Sequence, residues 1–241
     1  EEQALSGIAL FNNHYLLYYT GFAFIPTERP IGFVMNKRGD KALFVPRLEL
    51  EHARANTSID RVDHYVEYPH DTHPMQVFEE TLHGMGINGA TGADTNGYPW
   101  IFGYRGPRLN ELTGRPLKQI ANFIEDQMMI KSPAEMALLR ESAKWGHMAH
   151  TLLQRYTRVG ATETEVSTRA SMEATLAMLD AVGPIYRAQS PFSQGANAAY
   201  RGQIGRNAAI PHAMANNITF RAGDVLVTGA GAPVWGYHSE L

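Results

Sequence analysis

The chain has 241 residues, 44% of them apolar, which is enough to bury the core of one large domain or of two domains of ordinary size. Its net charge of −3 at pH 7 gives no electrostatic reason to expect a nucleic-acid partner, because phosphate binding needs a clustered excess of Lys and Arg. Since the chain has no cysteine, no run of eighteen apolar residues and no basic segment at its start, we expect a cytoplasmic protein without disulfides or a membrane partner.

The first half of the chain alternates strand and helix patterns. Short apolar runs predict strands, Gly39 between two such runs predicts a hairpin turn, and apolar residues at helical spacing predict two helices. The predicted strands cover 8–11, 16–22, 31–35, 42–46 and 89–94, and the predicted helices cover 48–55 and 75–85. This order predicts an α/β domain, which we place at residues 1–125.

The second half opens with two helix starts. Ser132 and Glu135 form a predicted capping box with Pro between them, so a long helix should run to about residue 159. Gly160 ends that helix, and Thr162 caps a second one with acidic residues in its first turn. Because β-type runs follow from about residue 185, we predict an α+β domain over residues 126–241.

Four motifs of this chain resemble, in the same order, the motifs of one known family. They are the Tyr-Tyr-Thr-Gly-Phe of 18–22, the Lys-Ser-Pro-Ala-Glu of 131–135, the Gly-Ala-Thr-Glu-Thr-Glu of 160–165, and the run 205–213 that is followed by the Ala-Gly-Asp of 222–224. The chain resembles the pita-bread hydrolases, which include creatinase, aminopeptidase P, prolidase and methionine aminopeptidase. This implies a creatinase-type N-terminal domain followed by a pita-bread catalytic domain. It also implies a fragment, because the family continues with one His and two Glu metal ligands.

His212 is the main catalytic candidate. It follows Pro211, which restricts Ile210 to an extended conformation, and we expect it to begin a strand that runs through 218–220. Histidine suits acid and base catalysis because imidazole exchanges protons near neutral pH. The resemblance implies that the His at this motif position is the acid and base of creatinase and supports the scissile group in the proline peptidases.

Gly229 and Glu240 stand at the two carboxylate positions of the family's metal site. We expect antiparallel strands over 225–230 and 237–241, in which positions eleven apart about a central turn share one face. Two carboxylates there would hold a divalent metal ion such as Mn, Co, Fe or Zn. Gly229 has no side chain, so Glu240 is left as the one ligand and a dinuclear centre is not expected.

The alternative is metal-free chemistry of the creatinase kind. Residues 233–238 resemble a segment of creatinase, which implies that His238 contacts substrate where creatinase has a Tyr. Arg29 falls where creatinase has an Arg that binds a carboxylate, and a guanidinium holds a carboxylate with two hydrogen bonds. His238 and Arg29 are therefore predicted substrate-binding residues.

We predict a hydrolase that cleaves a C–N bond in a small molecule or a short peptide. An Xaa-Pro peptidase is the first interpretation, and a metal-independent amidinohydrolase of a guanidino or amide compound is the second. A non-catalytic binding protein that reuses the fold is the third. Because the family often builds its site between subunits, the resemblance also implies a homodimer. The residues that follow Leu241 would decide between a metalloenzyme and a metal-free protein.

Overall fold

The structure is a computed structural model, and it describes residues 5–241. The chain divides into two compact units, Glu1–Ile130 and Lys131–Leu241. The predicted boundary between residues 125 and 126 falls inside a helix, Ala121–Met129, that belongs to the first unit. Within residues 5–241, every helix is too short or too polar to span a membrane.

A six-stranded mixed sheet forms the centre of the first unit. Its strands are β1 (Gly7–Leu10), β2 (Gly32–Asn36), β3 (Lys41–Pro46), β4 (Arg61–Tyr65), β5 (Thr91–Ala93) and β6 (Leu117–Gln119). The order is β4-β3-β2-β1-β5-β6. The β1–β2 and β2–β3 pairs are antiparallel and the others are parallel. The hairpin predicted around Gly39 is the β2–β3 pair, so that prediction is confirmed.

Helices precede or follow most strands of this sheet. They are α1 (Asn13–Thr20), α2 (Leu50–Asn56), α3 (Pro74–Gly84), α4 (Leu109–Thr113) and α5 (Ala121–Met129), and a short 3-10 helix, Arg47–Glu49, precedes α2. The helices predicted over 48–55 and 75–85 are thereby confirmed. An α/β class for the first unit follows from this arrangement.

Both faces of the sheet are buried. Ala9 and Phe44 belong to one hydrophobic cluster, whereas their chain neighbours Leu10 and Leu43 belong to another. Because successive side chains of a strand point to opposite faces, each face of the sheet has its own core. This is why the central strands β1, β2 and β3 are mainly apolar and lack a regular polar alternation.

The strand predicted over 16–22 is wrong, because this segment forms α1. The side chain of Asn12 caps the helix by accepting a hydrogen bond from His14 N at 2.9 Å. At the other end Gly21 has φ 72 and donates its N–H to Leu17 O at 2.9 Å, the left-handed conformation that terminates helices. The caps decide the structure here, since a short aromatic run has no periodicity that separates helix from strand.

The second unit consists of two long helices on short antiparallel strands. The helices are α6 (Pro133–Tyr156) and α7 (Glu163–Val182), and the strands are β7 (Asn197–Ala199), β8 (Gly229–Gly231), β9 (Pro233–Val234) and β10 (Tyr237–His238). β7 pairs with β8, and β9 pairs with β10. Small side chains from helices and strands share one apolar cluster, among them Ala149, Ala170 and Ala198. The unit has the predicted α+β class.

Capping interactions fix the starts of both long helices. Ser132 Oγ accepts from Glu135 N at 3.4 Å, and Glu135 Oε2 accepts from Ser132 N at 2.7 Å. Thr162 Oγ1 accepts from Glu165 N at 3.3 Å. The capping box and the second helix start are therefore confirmed.

The β structure after α7 is shorter than predicted. The strand expected over 225–230 is confined to β8, and the strand expected over 237–241 is confined to β10 and one further pair between Ala230 and Leu241. Turns and the 3-10 helices Gly183–Ile185 and Gly205–Ala209 occupy much of the rest. Gly and Pro are frequent in this segment, and both weaken strand pairing.

Candidate functional site

His212 lies in a turn that follows the 3-10 helix Gly205–Ala209. Its side chain is exposed, and its backbone has φ 58, in the left-handed region. The prediction that His212 begins a strand is wrong, because a residue with this φ cannot continue an extended chain. Residues 213–218 form an irregular loop, and only Thr219 makes a β-bridge, to Thr162.

Glu163 anchors the loop that carries His212. It is the first residue of α7, and its side chain is 1% exposed. Its Oε1 accepts hydrogen bonds from Asn216 N at 2.7 Å and from Ile218 N at 3.2 Å, and its Oε2 accepts one from Gly202 N at 2.7 Å. One buried carboxylate therefore joins the segment after His212 to the turn at Gly202.

The turn at Gly202 packs directly against the His212 loop. Gly202 has φ 76, and a Cβ atom on it would lie 2.1 Å from Met214 O, so no other residue fits there. Its neighbour Arg201 also has a left-handed backbone, with φ 53. Gly202 therefore packs against a residue that is two positions from His212. The turn that carries Arg201 and the loop that carries His212 are neighbours for this reason.

The structure brings Gly229 and Glu240 together, as predicted. Ala230 and Leu241 exchange two backbone hydrogen bonds, of 2.9 and 3.4 Å, in line with the register of β9 and β10. In this register Gly229 and Glu240 are diagonal neighbours on one face. A Cβ atom on Gly229 would lie 3.5 Å from Glu240 Oε1.

Arg201 lies beside both positions. Its Nη2 and Cζ would be 3.3 and 3.6 Å from a Cβ atom on Gly229, and its Nη1 is 3.8 Å from Glu240 Oε1. The side chains of Arg201 and Glu240 are 52% and 70% exposed. Sequence analysis missed Arg201, because nothing in the sequence near residue 201 signals that its side chain crosses to residues 229 and 240.

The residues present do not fit a divalent metal ion. Gly229 supplies no ligand, and the one carboxylate, Glu240, faces the cationic Arg201. In the part of the chain that the structure describes, no group of three or more His, Asp or Glu side chains is placed to hold a metal. Structural metal sites need about four ligands and catalytic ones about three. The metal-ligand role predicted for Glu240 therefore has no partners among residues 5–241.

His238 lies at the end of β10, with its side chain exposed. Its ring covers Gly231, where a Cβ atom would lie 2.4 Å from His238 Cε1. The hairpin is held to α6 by the buried Ser142, whose Oγ accepts from Ser239 N at 2.7 Å and donates to Ala232 O. His238 and Glu240 flank Ser239, so this anchor positions both.

Arg29 belongs to the first unit, where two carboxylates contact its guanidinium. Its Nε donates to Glu67 Oε1 at 2.8 Å, and its Nη1 donates to Glu28. The hydrogen bond to Glu67 is the main cause of a raised pKa of Arg29. The predicted carboxylate-binding role of Arg29 stays a prediction, and a ligand would have to compete with these two acids.

Comparisons with known proteins identify the class of both units. Residues 1–101 match the creatinase/prolidase N-terminal domain, and residues 137–241 match metallopeptidase family M24. The chain belongs to the pita-bread family of creatinases and M24 metallopeptidases.

Relatives and solved structures of this family are longer than the chain. An uncharacterized peptidase of Staphylococcus aureus (strain bovine RF122) is 24% identical over 149 residues, which are 62% of this chain and 39% of the relative. The prolidase from Pyrococcus horikoshii OT3 superposes with a TM-score of 0.71 at 19% identity, over 98% of this chain and 59% of that one. The Xaa-Pro dipeptidase from Bacillus anthracis gives 0.69 at 18% identity, with 98% and 59% covered. At these identities the structures establish the fold alone.

Proposed function

We propose that the full-length protein hydrolyses a C–N bond in a small substrate, with His212 as general acid and base and without a metal ion. The observation that carries this proposal is the placement of His212, exposed in a loop that the buried Glu163 holds by two of its backbone N–H groups. Family membership supports a hydrolase of the peptidase class. Gly229 stands at a position where the family's metal site has a carboxylate, and the absence of that side chain supports a reaction without a metal ion.

The chemistry requires one group that moves a proton twice. The imidazole of His212 accepts a proton from a water molecule, whose oxygen adds to the substrate carbon. The same proton then goes to the nitrogen as the C–N bond breaks, so the imidazole returns to its starting state. The exposed imidazole of His212 is accessible for this role, and we propose that His238, whose side chain is also exposed, contacts the substrate.

We propose two substrate classes. The solved neighbours are described as a prolidase and an Xaa-Pro dipeptidase, so a dipeptide with proline in second position is the first class. A guanidino or amide compound is the second class. The missing carboxylate at Gly229 favours this class, because creatinase hydrolyses a guanidino compound by a scheme that resembles the metal-free one proposed here. We further propose that the protein acts in the cytoplasm as a homodimer.

The test is a substrate panel measured in the presence of a strong chelator. Full-length protein is incubated with Xaa-Pro dipeptides, matched dipeptides without proline, and small guanidino compounds, and the released amine is quantified. We expect turnover of at least one class that the chelator leaves unchanged. Turnover that disappears with chelator and returns with Mn²⁺ would contradict the metal-free scheme. Binding without turnover across the panel would favour the non-catalytic interpretation.

A further inference from the structure

We propose that Arg201 supplies the fixed positive charge of the candidate site, in the place where two carboxylates would otherwise share a divalent metal ion. This inference deepens the proposed function, since it concerns the same group of residues. It rests on the position of one side chain relative to Gly229 and Glu240. It can be tested without any substrate.

The sheet register explains how Arg201 reaches this position. Ala199 of β7 pairs with Gly229 of β8, and Leu241 pairs with Ala230 on the other side of β8. Arg201 follows β7 by two residues, so its side chain crosses over Gly229 to reach Glu240. The contact of 3.8 Å with Glu240 Oε1 therefore joins the two segments that flank β8.

Gly229 and Arg201 are complementary in shape. A Cβ atom at residue 229 would lie 3.3 Å from Arg201 Nη2, which is closer than an ordinary van der Waals contact, so any larger residue would force the guanidinium to move. The missing side chain is thus the feature that makes room for the arginine. An aspartate at residue 229 would therefore displace the guanidinium from this position by at least a few tenths of an ångström.

The backbone of Arg201 is held in an uncommon conformation. Its φ of 53 lies in the left-handed region, which residues with a side chain adopt rarely and mostly where the surrounding structure enforces it. The next residue, Gly202, donates its N–H to the buried Glu163. The same carboxylate that holds the His212 loop therefore also fixes the turn from which Arg201 projects.

Charge supports the same conclusion. A guanidinium stays protonated at every pH at which proteins fold, so its positive charge is permanent. A divalent cation that approached Glu240 would meet this charge beside the same carboxylate oxygen and would be repelled. Among the described residues the 3.8 Å contact with Glu240 is the one ion pair of Arg201, and no hydrogen bond of its side chain is present. Its N–H donors are therefore free for a ligand.

The experiment compares Mn²⁺ and Co²⁺ binding by full-length variants, using calorimetry and the visible absorption of bound Co²⁺. We expect wild type to bind neither ion at this site. Gly229→Asp alone should stay weak, whereas Gly229→Asp combined with Arg201→Gln should bind at least about tenfold more tightly. Adding Glu240→Gln to that double variant should remove the gain. Arg221→Gln in the Gly229→Asp background is the control, because Arg221 is exposed and should give no gain.

Two results would overturn the proposal. Stoichiometric metal on wild type that Glu240→Gln abolishes would show that the carboxylate, and not the arginine, defines the site. Equal metal affinity of the Gly229→Asp variants with and without Arg201→Gln would show that the guanidinium does not compete with metal. The wild-type measurement needs no variant to fold, and neither result depends on turnover, so the proposed hydrolysis could fail while this inference stands.

Discussion

The two units of this chain are organised by different means. In the first, strands of regular register bury an apolar core on each face of a six-stranded sheet. In the second, two long helices are regular, but the segment after α7 has strands of only two or three residues. The candidate site lies in that irregular segment. Its loops are held by side chains rather than by a strand ladder.

Among the described residues, each unit nevertheless contains one buried carboxylate that binds backbone N–H groups. Asp94 accepts from Phe11 N, Asn12 N and Thr95 N in the first unit. Burial raises the pKa of Asp94, and the backbone hydrogen bonds oppose that shift. In the first unit such a carboxylate fixes a turn beside a sheet that is already well packed. In the second, Glu163 fixes loops that have few other contacts, so its loss should matter more for function.

The largest stability effect is expected for Glu163→Ala. It leaves the buried N–H of Gly202 and the partly buried N–H groups of Asn216 and Ile218 without an acceptor, and we expect a loss of about 3 kcal/mol in the free energy of unfolding, since an unsatisfied buried group costs about 1–3 kcal/mol. Turnover should fall as well, because the His212 loop is released. Chemical denaturation and steady-state kinetics measure the two effects.

Glu165→Ala, an exposed residue in the same helical turn, is the control and should change stability little. An unchanged unfolding midpoint for Glu163→Ala would be inconsistent with an anchoring role.

A smaller effect is expected for Ser142→Ala. The substitution removes the group that satisfies Ser239 N and Ala232 O, so we expect a loss of about 2 kcal/mol. Thr151→Ala is the matched control, because within residues 5–241 the hydroxyl of Thr151 bonds only to the carbonyl of His147 in its own helix. If both variants unfolded at the same denaturant concentration as wild type, the hairpin would not depend on this anchor.

The smallest effect concerns the pH dependence of the second unit. The hydroxyl of Tyr237 donates to Glu135 at 2.6 Å, and this hydrogen bond is the main cause of a lowered pKa of Glu135. A lowered folded-state pKa adds stability above the ordinary value of 4.5, and this stability is lost as the pH falls through the folded-state pKa. Glu135→Gln and Tyr237→Phe should therefore be less stable than wild type at neutral pH. The difference in the free energy of unfolding between wild type and each variant should shrink as the solution is acidified. A difference that is constant between neutral and acidic pH would contradict this assignment.

Local signals in the sequence predicted much of the fold. Ser132 and Thr162 predicted the starts of two helices correctly, because a helix cap is a contact between residues three positions apart. The strand predicted over 16–22 was wrong, because the local caps at Asn12 and Gly21 stabilise a helix there in spite of the aromatic run. Each of these outcomes depends on neighbours along the chain, which is the range that sequence patterns report.

The candidate site was harder to predict because its contacts span long separations. Glu163 contacts Gly202 and Asn216, which are 39 and 53 residues away, and although Glu163 lies in the motif 160–165, that motif does not show which distant backbone groups its carboxylate binds. Arg201 is placed by the pairing of β7 with β8. His212 was selected through its family motif, and its left-handed backbone could not be anticipated from Pro211 alone.

The most direct test of the account is the turnover of the full-length His212→Ala variant on whichever substrate the panel identifies. We predict that kcat/KM falls by about 100-fold or more, while the melting temperature stays within a few degrees of wild type, since the exposed imidazole has no hydrogen bond in the described structure. His147→Ala, an exposed histidine on α6, should retain full turnover. If His212→Ala retained wild-type kcat/KM, the central claim that this residue performs the hydrolysis would be contradicted.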